Sequence, residues 1–152
     1  MNSIISKTFA LVVVSAALLS FSPNFGGEGF GILLNGKLLL QKYGSGMSHV
    51  NTLDLSKSLP NDKITIRYFH CGKVAKNRLL TIKDVNDKVI KIWRFKDAVV
   101  PEGDMSCNVQ HIAELKKEGN SVFKIFYTSS ELPEGRMLAT MIFDNKVVAA
   151  RN

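Results

Sequence analysis

The sequence predicts an all-β protein, mainly one β-sandwich of about seven or eight antiparallel strands with Ig-like architecture, plus one short helix near 109–117. Three observations carry that prediction. Short runs rich in β-branched and aromatic residues recur at close spacing, clusters of Gly, Pro, Asn and Asp separate them, and only one stretch switches to helical periodicity.

The chain opens with Lys7 and an apolar run from Phe9 to Leu19, interrupted at Ser15 and followed by Ser20-Phe21-Ser22-Pro23. A cation, an apolar stretch too short to span a bilayer and a small-residue exit form the pattern of a cleavable signal peptide over residues 1–22, cut between 17 and 26. Neither cysteine lies near the end of the apolar run, so the mature chain is expected to lack both an acyl anchor and a stable membrane anchor. Residues 23–29 read as a flexible lead-in, and 30–150 as the single domain. With 45% hydrophobic and 22% charged residues, that domain is expected to bury one core rather than stay disordered.

Asn35-Gly36 between Phe30–Leu34 and Lys37–Lys42 predicts a first hairpin, because both residues tolerate the positive φ of a type I′ turn. Tyr43-Gly44-Ser45-Gly46 breaks the pattern, and Leu53 and Leu55 alternate with polar neighbours in a third strand over 52–57. In the next strand, 63–71, Ile64, Ile66, Tyr68 and His70 share one face and Thr65, Arg67 and Phe69 the other. Strands over 78–83 and 88–95, joined by Asp84-Val85-Asn86-Asp87, complete an expected three-stranded meander.

Beyond Pro101-Glu102-Gly103-Asp104, Val109, Ile112 and Ala113 recur at helical spacing. Ser106 or Asn108 could cap that helix, and Gly119 could stop it. Phe123, Ile125 and Tyr127 then alternate in a strand over 121–128. Its expected hairpin partner spans 136–143 across Leu132-Pro133-Glu134-Gly135, with a last short strand at 147–149. Trp93 lies between the two cysteines, but their spacing is short for an immunoglobulin bridge and no Tyr precedes Cys107 by two residues, so the likeness is one of architecture.

Cys71 and Cys107 are the only cysteines, and an even count in an exported chain predicts a disulfide that closes a loop worth roughly 3–4 kcal/mol. A competing reading groups His70, Cys71, Met105, Cys107 and His111 as soft and imidazole ligands suited to copper. It lacks the methionine that follows a blue-copper Cys-His pair.

Enzyme motifs dissolve on inspection. Gly31 to Leu38 has phosphate-loop spacing, but Leu38 stands where a Mg²⁺-binding hydroxyl belongs. Gly46-Met47-Ser48-His49-Val50 lacks the closing glycine of a nucleophile elbow, and the three histidines form no HExxH. No catalytic residue, cofactor or nucleic-acid partner is expected.

Charge is the informative feature. The chain carries 20 Lys or Arg against 13 Asp or Glu, and residues 63–96 hold ten of the cations against Asp84 and Asp87 alone. Together with the strand periodicity, this predicts a basic, aromatic-bearing sheet face built from Arg67, Phe69, Lys83, Lys91 and Trp93. The expected function is an exported, periplasmic or secreted, non-enzymatic binding module that contacts an anionic glycan or envelope surface. Two alternatives stay open: a periplasmic copper-handling or thiol-redox protein, and a structural or adhesive β-domain pairing through an edge strand.

Overall fold

The computed structural model describes residues 27–116 and 121–143. The expected signal segment, Gly119 and the last strand at 147–149 lie outside those residues.

Asn35 and Gly36 adopt φ values of 50° and 80°, so β1 (Gly29–Leu34) and β2 (Lys37–Tyr43) form the expected hairpin. Asn35 also anchors it: its amide donates to Asp62 Oδ1 and its carbonyl accepts from the Lys63 N–H, each at 2.8 Å. The register passes from Ile32 opposite Leu40 to Leu33 opposite Leu38, which leaves Leu39 bulged on this edge strand. A 3-10 turn at Gly44–Ser48 follows and buries Met47.

The third strand, β3 (Thr52–Asp54), is shorter than its sequence pattern, because the Asp54 carboxylate accepts the Ser56 N–H at 2.9 Å and turns the chain. It pairs in parallel with the last described strand, so the sandwich is not wholly antiparallel. Then come β4 (Lys63–Phe69), β5 (Leu79–Lys83), β6 (Val89–Arg94), β7 (Met105–Asn108), α1 (Val109–Ala113), β8 (Val122–Ser129) and β9 (Leu132–Ile142). The helix starts at the expected place without a side-chain cap. Its first amides, on Val109 and Gln110, donate instead to the Asp62 and Pro60 carbonyls at 2.8 and 3.1 Å.

Two sheets result, ordered β2-β1-β4-β7 and β3-β9-β8-β5-β6. The three-stranded meander is thereby corrected: β5 and β6 form a hairpin in the second sheet, while β4 belongs to the first. The connection from 70 to 78 is too long for a tight hairpin and carries the chain across the sandwich. Its crossing is fixed by Arg78, only 6% exposed, whose guanidinium donates to the Lys96 carbonyl and, at 2.6 Å, to the Gly103 carbonyl.

The expected turn at 132–135 lies inside β9, and the chain reverses at Ser130-Glu131 instead. Pro133 is tolerated there because β3 covers β9 only at Thr140–Ile142, so among the described strands nothing needs its missing N–H. Gly135, at φ 73°, absorbs the irregular register opposite Tyr127 to Ser129.

The core fills the space between the sheets. Phe30, Ile32, Ile64, Ile66 and Met105 meet Leu80, Ile82, Phe123, Ile125, Met141 and Phe143, with Val109 and Ile112 of α1 closing one end. Fully burying each side chain of this size contributes ~1.5–3 kcal/mol.

The same register corrects the disulfide. Cys107 lies opposite Ile64 at the start of β4, whereas Cys71 lies past the far end of that strand, on the order of 20 Å away at roughly 3.3 Å per residue. Bridging requires Cα atoms within about 7 Å. Both thiols are free, Cys71 exposed and Cys107 half-buried.

Candidate functional site

The five residues read as one basic aromatic face fall in three places. Arg67 and Phe69 lie on the outer face of the first sheet, where Arg67 pairs with Asp104 and Phe69 meets the Tyr43 ring at 5.8 Å. Lys83 lies on the outer face of the second sheet, its ammonium 4.1 Å from the centre of the Phe126 ring. Lys91 and Trp93 stand opposite the buried Ile82 and Leu80, on the core side of edge strand β6.

Trp93 packs against the core while Lys91 remains exposed. The reversal has a local cause. Ile82 faces Lys91 and Lys83 faces Val89, so Ile90 is bulged, and both Ile90 and Trp93 reach the core although strict alternation would separate them. Ile92 is thereby turned outward, opposite Thr81, and is 52% exposed.

What survives of the expected face is a basic surface centred on the β5–β6 hairpin. Lys88, Lys91, Arg94 and Lys96 are exposed along it, and none forms an ion pair with a described residue. Lys83 and Lys124 stand directly opposite each other on β5 and β8. Like charges in that position repel. The structure relieves them by placing Lys83 over Phe126 and pairing Lys124 with Asp87 at 2.8 Å, which holds the Asp87 carboxyl below its usual range. The other nearby acid, Asp84, is engaged by the backbone N–H groups of Asn86 and Lys88 at 2.9 and 3.0 Å. The sequence signal for this surface was the charge run itself; Ile92, which joins Val85 and Val89 in its apolar component, was missed because the bulge at Ile90 is invisible to alternation.

Across the molecule, Tyr43, Phe69, Cys71, Gly72, Pro101 and Glu102 line a cleft of about 420 Å³. A second cleft of about 680 Å³ shares Glu102 and is lined by Arg67, Arg78, Asp97 and Asp104. Three acids, Asp97, Glu102 and Asp104, line these clefts, and Arg67 among the lining residues is paired with Asp104.

Between the sheets lies a polar cluster that sequence reading placed only in part. His70, 6% exposed, is bonded through Nε2 to the Tyr127 hydroxyl at 2.9 Å and lies 3.3 Å from Ser129 Oγ. Tyr68 stacks on Tyr127 with ring centres 4.3 Å apart, donates to Glu28 and accepts from Arg136 at 2.8 Å. Arg136 also pairs with Glu28 at 3.1 Å. Burial, followed by the Glu28 carboxylate, pushes the Tyr68 phenol far above its ordinary range. Burial lowers the His70 imidazole, against the opposing pull of the Glu131 and Glu28 carboxylates. Among the described residues no buried side-chain polar atom lacks a partner, so the cluster works as a fastening between the sheets.

The copper set of the competing reading is not assembled. Met105 is buried in the core, Cys107 lies at the far end of β4 from His70 and Cys71, and His111 is exposed on α1. No group of three or more His, Cys, Asp or Glu among the described residues is placed to hold a metal ion. No described helix is long and apolar enough to cross a membrane. Comparison with known proteins finds no matching family model and no matching curated sequence.

Proposed function

We propose that the protein is an exported, non-enzymatic binding module that engages a polyanionic partner through the basic β5–β6 hairpin. Export rests on Lys7 and the apolar run from Phe9 to Leu19. The observation that carries the binding reading is the row of Lys88, Lys91, Arg94 and Lys96, none neutralised by a described acid, beside Lys83 on the adjoining face. Four uncompensated cations on one edge create a local field that attracts extended anions. They also guard the edge against strand pairing, a role that would hold without any ligand.

The two roles separate in solution. The processed chain should bind an inorganic polyphosphate by titration calorimetry at low ionic strength, and the affinity should fall steeply toward 1 M salt, where the Debye length shrinks to about 3 Å. Replacing Lys91 and Arg94 by Glu should abolish binding, while replacing Lys37 and Lys42 on β2 should leave it intact. Equal losses from both pairs would mean that overall charge, not this hairpin, draws the anion, and the reading would fail.

A further inference from the structure

We infer that the anionic partner is a lipid surface, onto which the outer face of the β5–β6 hairpin docks; this rests on the reading of that hairpin as the binding element. A soluble polyanion explains the cations but gives no use to the aliphatic side chains among them. Val85 at the turn, and Val89 and Ile92 on the outer side of β6, are 51%, 48% and 52% exposed. They belong to the same surface, because Val89 stands opposite Lys83 and Ile92 opposite Thr81 on β5, while Lys124 of β8 donates to the Val85 carbonyl at 3.2 Å.

The other long edge gives the contrast. Strand β2 also exposes leucines, Leu38 and Leu39, but has only Lys37 and Lys42 for charge. On the outer face of the β5–β6 hairpin the aliphatic groups lie among Lys83, Lys88 and Arg94, with the exposed Lys91 on the other side of the same edge strand and Lys124, paired with Asp87, at the turn. Cations reaching headgroup phosphates while short aliphatic side chains enter the interface is the chemistry of a surface-docked protein, and each component alone binds weakly. Charge complementarity therefore favours an anionic bilayer over a neutral one, and the aliphatic groups favour a bilayer over a dissolved chain.

Co-sedimentation with vesicles of phosphatidylcholine containing one quarter phosphatidylglycerol tests this, with pure phosphatidylcholine vesicles and inorganic polyphosphate as comparisons. The processed chain should bind the anionic vesicles and not the neutral ones. The double variant Val89→Ser, Ile92→Ser should lose about tenfold in vesicle affinity yet keep its polyphosphate affinity. Lys91→Glu with Arg94→Glu should lose at least roughly tenfold on both. All four positions are exposed, and an unchanged thermal midpoint in each variant establishes that the fold is intact. Vesicle binding untouched by the serine variant, or polyphosphate binding without vesicle binding, overturns the lipid inference and leaves the polyanion reading standing. Binding to neither overturns both.

Discussion

Removing a single oxygen, by Tyr127→Phe, should cost about 1–2 kcal/mol of stability and show where the two sheets are fastened. The Tyr127 hydroxyl is fully buried and sits 2.9 Å from His70 Nε2, whose other neighbour, Ser129 Oγ, is more distant at 3.3 Å. Phenylalanine keeps the 4.3 Å stack on Tyr68 and leaves His70 short of its better partner. A buried polar group in that state costs roughly 1–3 kcal/mol, and the retained contact to Ser129 places the loss toward the lower half. For a domain of this size that is about a 5 °C fall in melting temperature, read by calorimetry or near-ultraviolet circular dichroism.

The same histidine gives the loss a pH signature. Its folded-state pKa lies below the ordinary value of 6.5, so the unfolded chain takes up the proton first. Stability should therefore hold steady above about pH 6.5 and decline as the pH drops below it toward the folded-state value. His70→Gln should flatten that decline between pH 6.5 and 5. A Tyr127→Phe variant as stable as the parent, together with a wild-type profile flat across that interval, would refute the buried His70–Tyr127 bond.

Other outcomes follow from the same structure. Cys71 should react with iodoacetamide in the native protein, while Cys107, whose thiol burial pushes up to about 11, should react only on unfolding; the intact mass should not change on reduction. Arg78→Leu should destabilise by about 3 kcal/mol in urea titration, since it strands the Lys96 and Gly103 carbonyls in the crossing between the sheets. Gly29→Val should reorganise the cleft, because a Cβ there collides with the Tyr43 ring; the expected readout is altered Tyr43 and Phe69 ring resonances in a folded protein.

How much of this was legible in the sequence depended on how local each signal was. Asn35-Gly36 specified its hairpin because the requirement for positive φ lies within the two residues themselves. Ile64, Ile66 and Tyr68 were placed on the core side by alternation alone, with His70 among them. Alternation failed where a residue was inserted: the bulge at Ile90 exchanges the faces of Ile92 and Trp93, and no composition cue marks it. Sheet membership was equally hidden. Nothing within β4 or β5 reveals that the chain crosses the sandwich between them, yet that crossing separates Arg67 and Phe69 from Lys83, and Cys71 from Cys107. The cation run was legible because consecutive basic residues on one hairpin stay together however the sheets are arranged, and the functional reading keeps that part and gives up the aromatic platform.

The most direct test is a chemical-shift map of the processed protein titrated with small bicelles containing phosphatidylglycerol. Backbone shifts should concentrate on Lys83, Val85 and Val89 through Arg94, with little change at Tyr43, Phe69 or Glu102. Shifts centred on the Tyr43, Phe69 and Glu102 cleft, with a silent β5–β6 hairpin, would contradict it.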